Sequence, residues 1–384
     1  MGSDSVTREV ASPDLRQLAT VAEVERAALE RLPAASAAYL MTGSGEERAV
    51  AANREAFERR RLLPDTLVDV SGATTVTTVL GRVVAAPILV APTASHLLFH
   101  PEGEVATAQG AARAGTVLCV ASAASRSLPD ITEAAPDARR WLQVHPLRDR
   151  GLLDALVARA AECGAEALVL TVDAPVRSRR VRAERGGHVS AEMGLLRDVL
   201  GVRAEDVPPG TFADLDPSMT WSELERLAAR WPLPVIPKGV MAPGDARRAA
   251  DAGCPAVIVS NHGGRQLEDA HGTLDALPGV ASAAEGRLEV LVDGGVRRGA
   301  DVVKALGLGA RAVLVGRPVV WGLAAGGAEG VAAVLELLRA ELLTTLQLLG
   351  CPSPAAVQPR HVQTADACAA SVHWTCARAS SPLA

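Results

Sequence analysis

The chain has 384 residues, 48% hydrophobic and 22% charged, with a formal net charge of −5 at pH 7. That is enough apolar surface for one large domain or two ordinary ones. The charge is too mild to imply a nucleic acid or an anionic membrane as partner.

The N-terminus, "MGSDSVTREVASPDLRQ", lacks a basic stretch followed by an apolar core and does not read as a signal peptide. No window holds about 18 uninterrupted apolar residues, so no transmembrane helix is expected. The six cysteines, at 119, 163, 254, 351, 368 and 376, form no CxxC pair and no metal-ligand spacing. No metal site is expected, and free thiols suit a reducing cytoplasm.

Residues 1–85 form an N-terminal segment, with a helical start at "VAEVERAALERLP" and a polar loop around "TGSGEERAVAANREAFERR". Eight short β-rich runs follow. They are "APILVAPTAS" (86–95), "TVLCVASAAS" (116–125), "WLQVHP" (141–146), "EALVLTVDAP" (166–175), "LPVIPKGV" (233–240), "AVIVSNHGG" (256–264), "EVLVDGGVR" (289–297) and "AVLVGRP" (312–318). The runs are continuous rather than alternating, as parallel strands covered on both faces require. Helix-compatible stretches such as "GEVATAQGAARAG" and "RGLLDALVARAAECG" lie between them, several closing on Gly. Strand centres fall about 22 to 33 residues apart, one βα unit each, except after the fourth. Eight such units predict an α/β (β/α)8 barrel over 86–362, whose site lies at the C-terminal strand ends. The insertion at about 176–220 is polar and marked by Pro and Gly, and reads as a lid. Residues 363–384 show no periodicity and are expected to be disordered or peripheral.

If the strands point one way, their polar ends converge: Thr93, Ser122, Gln143, His145, Thr171, Asp173, Lys238, His262, Arg265, Asp293, Arg297 and Arg317. The glycines and arginines of "DGGVRRG" and "VGRP" follow the last two strands, where barrels bind phosphate through backbone N–H groups and guanidinium. Tight turns with surface arginines are the bland alternative. Lys238 is a cation in an apolar mouth and calls for an anionic partner, as a Schiff-base lysine or as a charge beside a cofactor ring. His262 and Asp173 make a base and its orienting carboxylate, against the commoner fate of a lone core histidine. Arg265 and Arg180 suit a carboxylate substrate.

On these residues the chain resembles the FMN-dependent 2-hydroxy acid oxidase and dehydrogenase family. "SNHGGRQLE", "DGGVRRGADVVKALGLGA", "VGRPV", "LTVDAP", "PKGV" and "APTA…HPEGE" carry the resemblance over about residues 20–362. It implies FMN, bound noncovalently; nothing like the fingerprint of a dinucleotide is present. It implies that His262 takes the substrate proton with Asp173 behind it, and that Arg180, Arg265 and Tyr39 bind the carboxylate. Lys238 is expected near the flavin N1–O2 edge, and Pro92, Thr93, Ala94, Ser122, Gln143 and Thr171 around the ring. Asp293, Gly295, Arg297, Gly316 and Arg317 are expected at the ribityl chain and phosphate. Alanine at 94 is what oxidases tend to carry, pointing to oxygen over another electron acceptor. The resemblance also suggests a homotetramer.

The departures matter as much. Where the family reads Gln-Leu-Tyr, this chain has Gln143, Val144 and His145. Beside His262, His145 is expected to titrate as one of a coupled pair across about pH 5 to 8. Ala121 stands where a flavin-contacting serine is common, and the lid lacks the usual signature. The expected reaction is therefore oxidation of a 2-hydroxy acid with an aryl or larger side chain. The alternatives are oxidation of a 2-amino acid, oxidative decarboxylation, or a catalytically weak flavin-binding protein.

Overall fold

A computed structural model describes residues 19–187, 193–202 and 214–364. Its centre is a closed barrel of eight parallel strands. In chain order these are β1 (Ile88–Val90), β2 (Val117–Ala121), β3 (Arg139–Val144), β4 (Leu168–Thr171), β5 (Val235–Val240), β6 (Ala256–Val259), β7 (Glu289–Asp293) and β8 (Ala312–Val315). Closure runs through β8 and β1, with Val313 opposite Ile88. The fold is a (β/α)8 barrel, and each strand lies within or overlaps the run that the sequence marks for it.

The alternation of side chains along a strand divides the apolar residues between two cores. Val117 and Cys119 of β2, Trp141 of β3, Val169 of β4 and Ile258 of β6 fill the barrel. Leu118, Val120, Leu142, Leu168, Leu170 and Val257 instead face the surrounding helices. Each fully buried Leu or Ile contributes roughly 1.5–3 kcal/mol, so both faces hold their strands in register. The hairpin Thr77–Val79 and Arg82–Val84 packs Val79 and Val84 on the inner core.

Two expectations change. Part of the presumed polar loop is a helix, Arg48–Glu58, which buries Ala49, Asn53, Ala56 and Phe57. Val362–Thr364 is not peripheral tail: it pairs antiparallel with Arg60–Leu62 and ties the segment after the barrel to the segment before it. Residues 365–384 lie outside the described residues, as do 188–192 and 203–213 of the lid. The described part of the lid contains short helices at Val181–Gly186 and Gly194–Leu200.

The helix Arg317–Leu349 is long and apolar enough, by length and composition, to cross a membrane. Here it packs against Glu104–Arg113 and Val21–Leu29 with 72% of its most apolar window buried. Its regular geometry breaks at Gly326 and Gly327. Cys119, Cys254 and Cys351 are buried free thiols and Cys163 is partly exposed.

Candidate active site

The alternation that fills the barrel continues beyond the strand ends. Above Trp141 come Gln143 and His145; above Val169, Thr171 and then Asp173; above Ile258, Ser260 and His262. The polar residues thus form the top layer of the barrel interior, over an apolar floor.

His262 has φ 61°, followed by Gly263 at 64° and Gly264 at 79°. A left-handed conformation costs a non-glycine residue about 1–2 kcal/mol, and it persists only where the surroundings enforce it. Here they do. The His262 N–H donates to Ser260 Oγ at 3.0 Å, and the Gly264 N–H donates to Asn261 Oδ1 at 3.0 Å. Asn261 and Asn53 exchange amide hydrogen bonds of 2.8 and 2.9 Å, anchoring the turn to the helix Arg48–Glu58. A Cβ on Gly264 would lie 2.6 Å from the Val50 nitrogen, so that position needs glycine for space as well as for φ.

Asp173 Oδ1 lies 3.3 Å from His262 Nδ1. Burial favours the neutral acid, but the attraction of His262 outweighs it and holds Asp173 below the usual carboxylate range. An ionised Asp173 accepts the Nδ1 proton, so Nε2 carries the basic lone pair. Burial lowers the His262 pKa, with Asp173 opposing, and the ring is neutral near pH 7.

Lys238 is buried, 3.1 Å from Asp293 Oδ2, and donates to Ser260 Oγ at 2.9 Å. Burial works against its charge, but Asp293 reverses the balance and raises its pKa. Asp293 thus first serves Lys238, which sequence reasoning did not foresee. Its other oxygen, Oδ1, is buried without a hydrogen-bond partner.

Four guanidiniums surround the mouth. Arg265 Nη1 donates to the Tyr39 and Thr42 carbonyls, both at 2.9 Å, closing the C-terminal end of the helix Ala34–Met41. Its guanidinium also lies 5.2 Å over the Tyr39 ring. Arg317 donates to the carbonyls of Gly263 and Thr42, both at 3.0 Å. Arg297 lies 4.8 Å over the Trp321 ring. Arg180, by contrast, shows no side-chain hydrogen bond among the described residues and faces the cleft. Burial, then repulsion from neighbouring arginines, pushes both Arg265 and Arg297 down to about 9. Like charges gathered in such a half-buried group call for anions.

His145 meets His262 with ring centroids 6.3 Å apart and an interplanar angle of 23°. Its Nδ1 is buried without a partner. Burial, reinforced by His262, pushes its pKa down to about 3. The expected repulsion between the two rings is present, but burial carries the shift further and takes the His145 ionisation below the expected range of about pH 5 to 8.

One cleft collects Tyr39, Pro92, Thr93, Ala94, Gln143, His145, Thr171, Arg180, Lys238, His262, Arg265, Asp293, Gly295, Arg297, Gly316 and Arg317. Asp173 stands behind His262. Ser122 is the exception, fully buried with an unpartnered hydroxyl, while Ala121 and Ala123 on either side line the cleft. Sequence reasoning missed Ser260, Asn53, Asn261 and Phe99, whose roles depend on partners distant in the chain. Only the polar run "SNHGG" hinted at two of them.

The residues fit FMN. Arg297 and Arg317 sit together as an electropositive end for a phosphate, the orphaned Asp293 Oδ1 can accept from a ligand hydroxyl, and Lys238 places a positive charge in the barrel mouth.

The comparisons agree with this geometry. Residues 28–364 match the family described as FMN-dependent dehydrogenase. The chain is 43% identical to the L-lactate oxidase of Nostoc sp. (strain PCC 7120 / SAG 25.82 / UTEX 2576), covering 86% of this chain and 93% of that one. It is 44% identical to the 4-hydroxymandelate oxidase of Amycolatopsis orientalis, over 88% and 96%. A solved structure of mandelate oxidase with (S)-4-hydroxymandelic acid superposes with a TM-score of 0.84 at 42% identity, over 90% of this chain and 99% of that one. With the barrel, the cationic phosphate end and the His262–Asp173 pair in place, the chain belongs to the FMN-dependent dehydrogenase family, and FMN is its cofactor.

Proposed function

We propose that this protein oxidises a 2-hydroxy acid with an aryl side chain to the 2-oxo acid, with oxygen as the final electron acceptor. One observation carries the reaction. The free Nε2 of His262, set by Asp173 on Nδ1, belongs to the same cleft as the guanidiniums of Arg180 and Arg265. A carboxylate held by the arginines and Tyr39 would present the adjacent hydroxyl to that base. His262 then takes the hydroxyl proton, and Asp173 stabilises the resulting imidazolium. FMN, when bound, supplies the acceptor for the hydrogen that leaves the substrate carbon with its electron pair. His145, neutral, lines the same cleft beside His262 and offers it a second hydrogen-bonding ring.

Phe99 supports the aryl preference. It lines the cleft and stacks with Tyr39 at 6.5 Å between centroids. Among the described residues the chain has two phenylalanines and one tyrosine, and two of these three rings, Phe99 and Tyr39, stand at the cleft. Relatives named hydroxymandelate and mandelate oxidase support the same reading, and their being named oxidases supports oxygen.

The test is anaerobic mixing of the yellow holoenzyme with (S)-mandelate, (S)-4-hydroxymandelate, L-lactate, glycolate and phenylglycine. The aryl hydroxy acids are expected to bleach the flavin fastest, and admitted air to restore the colour within turnovers. Faster bleaching by phenylglycine would replace the hydroxy acid with an amino acid. Reduced enzyme that persists in air but discharges to a quinone would remove oxygen as acceptor.

A further inference from the structure

Behind the cleft wall lies a chain of polar side chains that the reaction above does not use. Thr93 lines the cleft, and its Oγ1 lies 2.5 Å from His96 Nε2. On the other side of the ring, His96 Nδ1 lies 2.8 Å from Thr107 Oγ1. Thr107 in turn donates to the Gly103 carbonyl at 3.5 Å, one helical turn back. His96 is 2% exposed and Thr107 is fully buried. The His96 backbone N–H donates to Glu104 Oε1 at 3.0 Å, and the same oxygen accepts from the Ser125 N–H at 2.9 Å. The ring is therefore fixed at its base as well as at both nitrogens. Burial lowers the His96 pKa against the pull of Glu104, so the ring is neutral and carries one proton.

Both tautomers of His96 fit these distances, and the bond from Thr107 to the Gly103 carbonyl favours one of them. The Thr107 hydroxyl is committed to the carbonyl four residues earlier, a habit of helical threonine, and so accepts from His96 Nδ1–H. Nε2 then has only a lone pair, and Thr93 must donate its hydroxyl proton inward. Toward the cleft, Thr93 Oγ1 has lone pairs alone.

We infer that His96 is a positioning residue that holds the Thr93 hydroxyl as a hydrogen-bond acceptor toward the flavin and so raises its reduction potential. Two-electron reduction of an isoalloxazine adds an N–H donor to a ring that offered acceptors before. A fixed acceptor beside it favours the reduced form, one of the ways a protein tunes a flavin's electronics. The electron pair arrives with the hydrogen from the substrate carbon, and the hydroxyl proton goes to His262, so no further reactant is needed. The inference rests on the cleft holding FMN and on no particular substrate side chain.

The test measures midpoint potential by equilibration with reference dyes, together with the dissociation constant of oxidised FMN, in holoenzyme and variants. His96→Leu frees the Thr93 hydroxyl, and Thr93→Val removes it. Each is expected to weaken reduced FMN about tenfold more than oxidised FMN, lowering the two-electron potential by about 30 mV. The double variant should fall no further than either single one, because both remove the same bond. His96→Gln, whose amide can accept from Thr93 and donate to Thr107, should keep the wild-type potential. A wild-type potential in either single variant, or additive drops in the double, would overturn the inference. So would a loss of thermal stability in His96→Leu with the potential unmoved, which would mark His96 as structural only. Failure of the underlying reading shows separately, as wild-type protein that takes up no FMN.

Discussion

His262 has to be neutral to take a proton, and burial arranges that by lowering its pKa. Flavin reduction should therefore rise as pH passes upward through the His262 pKa, below the ordinary 6.5, and then level off. A single ionisation is expected, because His145 is pushed down to about 3. Stopped-flow reduction at a series of pH values checks this; two resolved steps between pH 5 and 8 would contradict it. His262→Asn should slow reduction by about 10²-fold or more while FMN stays bound. Unchanged reduction would place the base elsewhere. The same burial of His145 has a consequence for stability. Its folded pKa is depressed, so its contribution is fully present above the unfolded value near 6.5 and is lost as pH falls toward about 3. At pH 5 the loss is about 2 kcal/mol. His145→Phe should show a shallower fall in melting temperature between pH 7 and 5 than wild type, and an equal fall would refute the assignment.

At the scale of elements, the base is aimed by a turn rather than by a strand. The left-handed run from His262 to Gly264 is clamped to the helix Arg48–Glu58 through the reciprocal Asn53–Asn261 pair. Asn53 Oδ1 also accepts the Thr273 N–H at 3.0 Å, so one side chain ties together the base turn and the start of the helix Thr273–Ala284. Asn53→Ala leaves these buried groups unpartnered, which costs about 1–3 kcal/mol. Urea unfolding should show that loss. The kcat for flavin reduction should fall more than KM rises, since the carboxylate arginines stay in place while the base drifts. An unchanged kcat would mean that the turn holds its shape without the clamp.

Across the whole molecule, the eight strands place five cations in one mouth: the buried Lys238 and the half-buried Arg180, Arg265, Arg297 and Arg317. Asp293 pairs with Lys238, and Glu25, Glu47 and Asp301 pull on Arg297 and Arg317, which offsets the positive charge in part. FMN should consequently stabilise the fold well beyond its contact area. At a free concentration 1,000 times Kd the gain is about 4 kcal/mol. Removing FMN should lower the melting temperature, and phosphate should restore part of it more effectively than chloride at equal ionic strength. Apo-protein that melts with the holoenzyme would show that the cations do not depend on the ligand. The long helix Arg317–Leu349 takes part at this scale too. It begins with a phosphate-end arginine and then runs back through the outer core.

How much of this was legible in the sequence follows from the range of the interactions. Eight continuous apolar runs at regular spacing specified a parallel barrel, because a strand covered on both faces must be apolar throughout. The strand-end polar residues specified the site, because alternation carries the inward face into the mouth. "SNHGGRQLE" and "DGGVRRG" marked the candidate base and the candidate phosphate end, and residues of both line the cleft. The tertiary structure decided what depended on distant partners. Asp293 pairs with Lys238 across the barrel, Asn53 reaches Asn261 over 208 positions, and Val362–Thr364 closes on Arg60–Leu62. It also decided the protonation of His145. A motif shows that a histidine is present, but its charge depends on the desolvation and fields of everything folded around it.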